Sequence, residues 1–371
     1  MKKNINLGIS IYPEKTNISE INDYLKLAKK YNFSLVFINF ISILEKKDIK
    51  LLSYYKEVIS LCQKNGFEVT LDVNKSTFDE LKIDYNQPDL KYFADMGIDC
   101  LRLDDQFNGL FEATLTFNKY GIKIELNPST FNDQISNILS YGANVNNLRA
   151  LHNFYPQKYS ALNYELFKKH NKKIISQGLD VGAFITINTH STVGPWEVNE
   201  FLPTLEIHRD LDIGIQANHF ISNNFVKYLY ISTQFASEKD FMEITNSISP
   251  KKIIPYKKLR ENSKIENQVI DFDNHFIRGD MSENIIRSTI TRKIYSTENI
   301  QKNIFSENII KKGYVVIPND EYAKYKGELQ IVSKDIINDN LRNVVGYIPD
   351  KFHFLIDELK PWDHFELKEY D

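Results

Sequence analysis

The chain has 371 residues, of which 42% are hydrophobic and 13% aromatic, and its formal net charge is −3 at pH 7. This length predicts two domains, or one barrel with an addition, and the apolar content excludes a disordered chain. Its 46 basic and 49 acidic residues are spread without long blocks, so the charge gives no reason to expect a nucleic-acid partner.

The two cysteines, Cys62 and Cys100, stand apart from any cysteine or histidine cluster. This spacing excludes a disulfide framework and disfavours a zinc site. The first residues, MKKNINLGIS, lack an apolar segment long enough for a signal peptide, and no run reaches the length of a membrane span. We therefore expect a cytoplasmic protein with no membrane partner.

Eight short runs rich in β-branched and aromatic residues occur in the first two thirds of the chain, at 5–12, 34–41, 67–73, 98–104, 122–126, 145–152, 180–187 and 226–232. Segments with helical periodicity lie between them, at about 17–31, 50–64, 109–118, 130–140, 161–176 and 203–220. Asn17 and Glu20 predict a capping box at the first helix.

Eight strands that each precede a helical stretch or a helix-length gap predict a (β/α)8 TIM barrel, and hence an α/β fold. An open doubly wound sheet is the competing fold. Its dinucleotide-binding form is disfavoured, because GISIYPEK at the first strand lacks the glycine spacing of a phosphate-binding loop.

The sequence changes character near residue 247. The segment 247–268 contains two prolines and a cluster of basic residues, which predicts a linker or the entry to a new domain. Short alternating runs follow at 274–280, 287–296, 313–320, 328–335 and 343–350. We therefore expect a barrel domain over 1–246 and a small, mostly β domain over 247–371, closed into a barrel or a sandwich.

Active sites of TIM barrels lie at the C-terminal ends of the strands. Polar residues collect at those predicted ends: Tyr12, Glu14, Asp72, Asn74, Arg102, Asp104, Asp105, Glu125, Asn127, His152, Asn153, Tyr155, Thr186, Asn188, Ser232, Thr233 and Gln234. Several carboxylates and one histidine, without a cluster of metal ligands, fit acid–base chemistry on an oxygen-rich substrate such as a carbohydrate. The residues alone predict a barrel hydrolase or lyase.

Other roles stay open for these residues. Arg102 and Asp104 share one face of their strand and can neutralise each other inside the barrel. Glu125 can be buried against a base such as Arg102, Asp105 can cap the following helix, and His152 can be a core histidine. Metal-assisted hydrolysis through Asp72, Asp104 and His152 is an alternative mechanism. A Schiff-base lyase is disfavoured, because no lysine stands clearly at a strand end.

Several motifs resemble one family in the same order along the chain. They are ISIYPE, DVN, IDCLRLDD, IKIELNPST, HNFYP and LPTLEIHR in the first domain, and IRGD, IIRSTI and NDEYAKYKGELQI in the second. The chain is similar in these motifs to the 6-phospho-N-acetylmuramidase family. The resemblance implies a TIM barrel joined to a cyclophilin-like β domain. It also implies hydrolysis of the bond between N-acetylmuramic acid 6-phosphate and N-acetylglucosamine, a disaccharide formed during peptidoglycan recycling.

The family motifs contain Asp72, Arg102, Asp104, Glu125, Asn127, His152, Asn153 and Tyr155. We expect Asp104 to be one catalytic carboxylate and either Glu125 or Glu14 to be the other. The predicted substrate-binding residues are Asp72, Arg102, Asn127, His152, Asn153, Tyr155, Tyr12, Arg278 and Arg287. Among them, the two arginines of the second domain are expected to bind the phosphate, and the tyrosines to stack on sugar faces. No metal or other cofactor is expected.

Three positions depart from the family pattern. Thr186 and Asn188 stand where the family usually has a Pro-Gly-Asp element, and Ser232 and Thr233 replace a usual Gly-Asp pair. Asp105 stands where an aromatic residue is common. These differences leave an alternative open, in which the chain is a divergent phosphosugar-binding protein or a hydrolase of a different 6-phosphosugar.

Overall fold

A computed structural model describes residues 5–189, 192–197 and 200–370. The chain divides into two units, residues 1–248 and 249–371. The boundary predicted from the sequence follows residue 246. No described helix combines the length and the apolarity needed to cross a bilayer.

The first unit is built around a closed barrel of eight parallel strands in sequential order, with the first strand paired to the eighth. The strands are β1 Asn6–Ile11, β2 Leu35–Asn39, β3 Glu68–Val73, β4 Cys100–Leu103, β5 Lys123–Leu126, β6 Leu148–Leu151, β7 Val181–Ile185 and β8 Tyr228–Ile231. The TIM-barrel prediction is therefore confirmed, and the open doubly wound sheet is excluded. Each strand lies within one of the eight predicted runs.

Nine described helices accompany these strands: α1 Ile18–Lys30, α2 Ile49–Lys64, α3 Lys75–Glu80, α4 Lys91–Met96, α5 Leu110–Leu115, α6 Gln134–Ser140, α7 Tyr164–Ser176, α8 Ile213–Ser222 and α9 Glu238–Asn246. The predicted capping box of α1 is confirmed, since Asn17 Oδ1 accepts the backbone N–H of Glu20 at 3.1 Å. The helix buries Ile21, Tyr24 and Leu25 against the barrel because their spacing places them on one face.

Strand register brings one row of polar residues together. Neighbouring strands pair Asn39 with Asp72, Asp72 with Arg102, Arg102 with Glu125, and Glu125 with Arg149. The charges in this row alternate in sign from β3 to β6. Opposite charges in neighbouring positions compensate each other's desolvation, which allows four charged side chains to be buried in one layer of the barrel.

The second unit contains a seven-stranded sheet in the order β10-β17-β9-β16-β13-β14-β11 and a separate pair, β12 with β15. The strands are β9 Lys252–Lys258, β10 His275–Phe276, β11 Ile285–Ser288, β12 Ile309–Ile310, β13 Tyr314–Pro318, β14 Leu329–Val332, β15 Ile336–Ile337, β16 Arg342–Tyr347 and β17 His364–Glu369. The described helices of this unit are α10 Lys264–Ile270, α11 Ile290–Ile294 and α12 His353–Asp357. The mostly β prediction is confirmed.

Two local predictions can be compared with the structure. Segment 247–268, predicted to be a linker or the entry to a new domain, contains β9 and the start of α10, whose capping box is made by Ser263 and Glu266, so the alternative of a domain entry fits it. Run 287–296 was expected to be extended, but it turns into α11 after Ser288. Thr291 Oγ1 is buried there and accepts the backbone N–H of Leu329, a tertiary contact that local alternation does not encode.

Candidate active site

Arg102 is the centre of the polar cluster at the C-terminal end of the barrel strands. Its side chain is only 2% exposed, and Nη1 donates to Asp72 Oδ1 at 2.6 Å and to Asp104 Oδ1 at 3.2 Å. Nη2 donates to Asn153 Oδ1 and, at 3.4 Å, to the carbonyl of Leu151. One guanidinium thus ties together the ends of β3, β4 and β6.

Asp72 and Asp104 differ in their environments. The Asp72 side chain is 6% exposed and the Asp104 side chain 36% exposed. Burial raises the pKa of Asp72 to about 7, against the opposing attraction of Arg102, and the neighbouring charge of Asp104 adds to the rise. A single guanidinium cannot fully neutralise two carboxylates that share one of its nitrogens, so Arg102 compensates the burial of Asp72 only in part. Asp72 can therefore hold a proton near neutral pH while Asp104 faces the opening.

Asp104 has one more polar neighbour, and Asp105 points elsewhere. Asn127 Nδ2 lies 3.5 Å from Asp104 Oδ1, as expected for a residue at the end of β5. Asp105 Oδ2 accepts the backbone N–H of Lys75 at 2.9 Å, at the first residue of α3. Asp105 therefore interacts with the start of α3, which follows β3, and not with the helix after β4 as the sequence had indicated.

Glu125 lies inside the barrel, away from solvent. Its side chain is 0% exposed, and Oε2 accepts Arg149 Nε at 2.6 Å. Arg149 also donates to Glu68 Oε1 at 2.8 Å and to Thr70 Oγ1 at 2.9 Å. Burial raises the pKa of Glu125, and Arg149 opposes that rise. This environment favours a structural charge pair over the catalytic role predicted for Glu125.

His152 lies beneath the opening and is also fully buried. Its Nε2 is 2.7 Å from Asn171 Oδ1, so that nitrogen carries the proton, and its Nδ1 accepts from Ser129 Oγ at 3.3 Å. Ser129 Oγ in turn accepts the backbone N–H of Asn153 at 2.8 Å. Burial lowers the pKa of His152 to about 3, so the ring is neutral and orients Asn153. This position leaves His152 without the exposure that the predicted substrate contact requires.

The two predicted stacking tyrosines have different surroundings. Tyr12 is 4% exposed, and its hydroxyl donates to the Ser232 carbonyl at 2.5 Å. Tyr155 is half-buried against the barrel core. Only Tyr155 therefore has an open ring surface of useful size.

Glu14 borders a separate cavity of about 270 Å³ at the end of β1, and it forms an ion pair with Lys46. Asn39, the register neighbour of Asp72, lines the same cavity, and so does Trp196. Glu14 therefore lies on the same side of the barrel as the Asp72–Arg102 cluster.

Trp196 and Asn39 were missed by the sequence analysis. The Trp196 ring is 50% exposed, and its centroid lies 5.8 Å from that of Phe154. Phe154 in turn packs edge-to-face on Phe184 inside the barrel. Asn39 lies near the end of a predicted run and is the last residue of β2, so it could have been found by its position, whereas no periodic signal marks Trp196. Exposed tryptophan over a packed aromatic layer is a common platform for apolar sugar faces.

The side chains at positions that depart from the family pattern form hydrogen bonds with backbone groups. Thr186 Oγ1 accepts the N–H of Leu202 at 2.9 Å, and Asn188 Nδ2 donates to the Leu211 carbonyl at 2.7 Å. Ser232 Oγ donates to the Ile185 carbonyl at 3.0 Å. These polar side chains therefore stabilise the ends of β7 and β8 and the loop that follows β7.

No group of three or more histidine, cysteine, aspartate or glutamate residues within the described ranges is arranged to hold a metal ion. Cys62 and Cys100 are free and buried. The predicted phosphate ligands lie in the second unit, where Arg278 pairs with Asp280 and Arg287 pairs with Glu328.

The first unit is thus a closed TIM barrel that carries two carboxylates, Asp72 and Asp104, on one arginine at the C-terminal ends of its strands. The family profile described as 6-phospho-N-acetylmuramidase, N-terminal, matches residues 7–246, and its C-terminal counterpart matches residues 254–368. The chain belongs to the 6-phospho-N-acetylmuramidase family.

Two solved structures resemble the whole chain. The crystal structure of an uncharacterized B. cereus protein is 35% identical, with a TM-score of 0.86, over 99% of this chain and 100% of that one. A conserved Enterococcus faecalis protein of unknown function is 21% identical, with a TM-score of 0.69, over 98% of this chain and 96% of that one, and it supports the fold alone. Among curated proteins, no sequence matches this chain significantly.

Proposed function

We propose that the protein is a glycoside hydrolase that cleaves a 6-phosphorylated disaccharide, with N-acetylmuramic acid 6-phosphate linked to N-acetylglucosamine as the favoured substrate. Such an activity serves peptidoglycan recycling. The observation that carries the proposal is the pair Asp72 and Asp104, joined by Arg102 at the mouth of a barrel of this family. Family membership supports the phosphosugar class, and the carboxylate pair supports the chemistry.

Asp104 acts as the ionised carboxylate and Asp72 as the proton donor. Asp104 is the more exposed of the two, and its Oδ1 accepts a hydrogen bond from Arg102 Nη1 at 3.2 Å. Asp72 is buried and has a pKa raised to about 7, which suits a general acid that works near neutral pH. This assignment gives Asp72 the role that the sequence had assigned to Glu125 or Glu14.

Because Asp72 and Asp104 bond to the same nitrogen of Arg102, the distance between them also predicts the stereochemistry of hydrolysis. Asp72 Oδ1 and Asp104 Oδ1 both accept from Arg102 Nη1, at 2.6 and 3.2 Å. The distance between these two oxygens therefore cannot exceed the sum of the two bond distances. That limit is shorter than the separation of about 6.5–9.5 Å that leaves room for a water in inverting glycosidases. The pair therefore favours a retaining mechanism in which Asp104 attacks the anomeric carbon.

Neutral groups around the pair would orient the sugar. Asn127 and Asn153 lie beside Asp104 and Arg102 and can bond hydroxyl or acetamido groups. Tyr155 and Trp196 offer ring surface to apolar sugar faces. Arg278 and Arg287 remain the proposed phosphate ligands, and the second domain remains cyclophilin-like by family resemblance. Glu125, Arg149 and His152 would support these groups from beneath.

The first test is incubation of the purified protein with N-acetylmuramic acid 6-phosphate linked to N-acetylglucosamine, beside the unphosphorylated disaccharide, with products read by mass spectrometry. We expect cleavage of the phosphorylated form only, and proton NMR of the first-formed anomer to show retention. Cleavage of both disaccharides at equal rates would contradict the phosphosugar assignment. Binding of the phosphorylated disaccharide without turnover, even in single-turnover reactions at high enzyme concentration, would favour the divergent binding protein.

The pH dependence tests the role of Asp72. A general acid must be protonated to act, so loss of its proton lowers activity as pH rises through its pKa. We expect kcat/KM to fall above about pH 7, by about tenfold per pH unit, because the pKa of Asp72 is raised to about 7. Asp72→Asn should lose this alkaline limb and about 10²–10⁴-fold of the activity. An unchanged profile in that variant would assign the acid elsewhere, with Glu14 the next candidate.

A further inference from the structure

The second domain contains a strongly basic pocket of its own, with a volume of about 650 Å³. Its lining includes six cationic side chains and a single carboxylate, that of Asp280. The cationic residues are Arg278, Arg287, Arg292, Lys293, Lys324 and Lys326. All of them belong to the second domain, so the pocket exists without any contribution from the barrel.

A buried carboxylate behind the pocket holds two of the arginines in place. Glu328 is 0% exposed, and it accepts Arg287 Nε at 2.7 Å and forms an ion pair with Arg292 Nη1 at 3.7 Å. Both guanidinium groups also lie over the ring of Tyr325, at 5.7 and 5.4 Å from its centroid. Two arginines face one carboxylate, so positive charge remains in excess and is fixed in position.

The other four cations differ in their partners, and Lys326 forms an ion pair with Asp320 at 3.1 Å. Lys293 and Lys324 are exposed and have no carboxylate within ion-pair distance among the described residues. Arg278 is held by Asp280 through Nε and Nη2, which leaves Nη1 as its free donor. The pocket therefore combines two arginines held by Glu328 with two exposed ammonium groups, an arrangement that suits a dianion better than a carboxylate.

The backbone at the rim is strained. Ala323 has φ 44° and ψ −109°, inside the short helical segment Asp320–Tyr325, and it lines the pocket. A residue with a β-carbon rarely adopts this conformation, and such strain concentrates at ligand sites. Asn319 supports the segment, since its Oδ1 accepts the N–H of Glu321 at 3.1 Å.

An exposed aromatic ring lies directly beside the pocket. Gly279 separates the pocket residues Arg278 and Asp280, and a β-carbon there would stand 2.5 Å from Trp362 Cζ2. The Trp362 ring therefore packs on this glycine, yet 67% of the residue is exposed. A flat ring next to an anion pocket is what a phosphate attached to a sugar would require.

We propose that this pocket binds the phosphate of a phosphomonoester, with Arg287 and Arg292 as its fixed ligands and Trp362 as the platform for the attached sugar. Glu328 is a positioning residue that orients both arginines. Phosphate binding here does not depend on the proposed hydrolase activity, whereas identification of the ligand as the substrate's 6-phosphate rests on it. A separate phosphorylated metabolite is the other source of the same chemistry.

The test is calorimetric titration of the full-length protein with inorganic phosphate and with glucosamine 6-phosphate at low ionic strength. Arg292→Gln and Lys293→Gln should each weaken phosphate binding by about tenfold, since each removes a charge-assisted contact. Lys312→Gln is the matched control, because it removes one charge from a surface ion pair of the same domain outside the pocket. Thermal unfolding confirms that each variant is folded. We avoid Arg287, whose loss would leave Glu328 without its closest cation.

Each outcome has a defined meaning. Absence of phosphate binding by the wild-type protein, or equal weakening in Arg292→Gln and Lys312→Gln, would overturn the proposal. Tighter binding of glucosamine 6-phosphate than of phosphate, lost in Trp362→Ala, would establish a phosphosugar site. Equal binding of the two probes would establish a site for phosphate alone. Hydrolysis is not measured in these titrations, so their failure stays separate from failure of the proposed activity.

Discussion

Asp104→Asn is expected to lower kcat/KM for the phosphorylated disaccharide by more than about 10³-fold, because asparagine has the shape of aspartate but cannot serve as the ionised carboxylate. The fold should survive, since Arg102 keeps its shorter bond to Asp72 at 2.6 Å. The measurement is steady-state cleavage followed by mass spectrometry, together with thermal unfolding of the variant.

Asp105→Asn is the matched control for this experiment. The change is chemically identical and one residue away, but the Asp105 carboxylate faces the backbone N–H of Lys75 and not Arg102. We expect near wild-type turnover and a change of less than about 0.5 kcal/mol in the free energy of unfolding, because the asparagine side-chain oxygen can accept the same N–H. If Asp104→Asn retained most of its activity, or if both variants lost activity equally, the assignment of Asp104 would be wrong.

Arg149→Met is expected to have the largest effect on stability, a loss of about 3–5 kcal/mol in the free energy of unfolding. The substitution removes the 2.6 Å ion pair of Glu125 and leaves that carboxylate, which is 0% exposed, without its closest cation. Chemical denaturation at pH 7 measures the loss. Lys123→Met is the control, because Lys123 also pairs with Glu68 but is 40% exposed, and such surface pairs contribute about 0–1 kcal/mol.

A second substitution at Glu125 separates structure from catalysis. Glu125→Gln added to Arg149→Met should recover part of the lost stability, because the unpaired buried charge is gone. Glu125→Gln alone should keep kcat within about tenfold of wild type if Glu125 only supports the barrel. A folded Glu125→Gln protein without activity would instead restore Glu125 to the catalytic role that its strand position predicts.

The barrel could be predicted because its signals are local. Apolar runs of strand length and helical periodicity follow from the preferences of neighbouring residues, and the capping residues Asn17 and Glu20 lie within one turn of each other. The prediction failed where tertiary contacts compete with local pattern. Run 287–296 alternates like a strand but becomes helical after Ser288, where Thr291 is buried against β14.

The candidate site could be predicted by position but not by role. Barrel geometry places strand ends together, which is why Asp72, Arg102 and Asp104 were found. Their exposure and their partners depend on strand register, and register is a property of the closed barrel. His152 and Glu125 looked like site residues, yet both are fully buried. Trp196 was missed because no local periodicity marks it, and its ring contact with Phe154 joins residues far apart in the chain.

The sequence by itself determined the eight-stranded barrel, the mostly β second domain and the family, because periodicity and motif order are carried by residues close along the chain. Tertiary structure alone decided which charges meet. Arg102 forms ion pairs with Asp72 and Asp104, and Arg149 forms one with Glu125. Glu328 forms ion pairs with two arginines. Burial and Coulomb attraction depend on groups that lie far apart in the chain and meet only on folding. The raised pKa of Asp72 and the basic pocket are therefore properties of the folded protein alone.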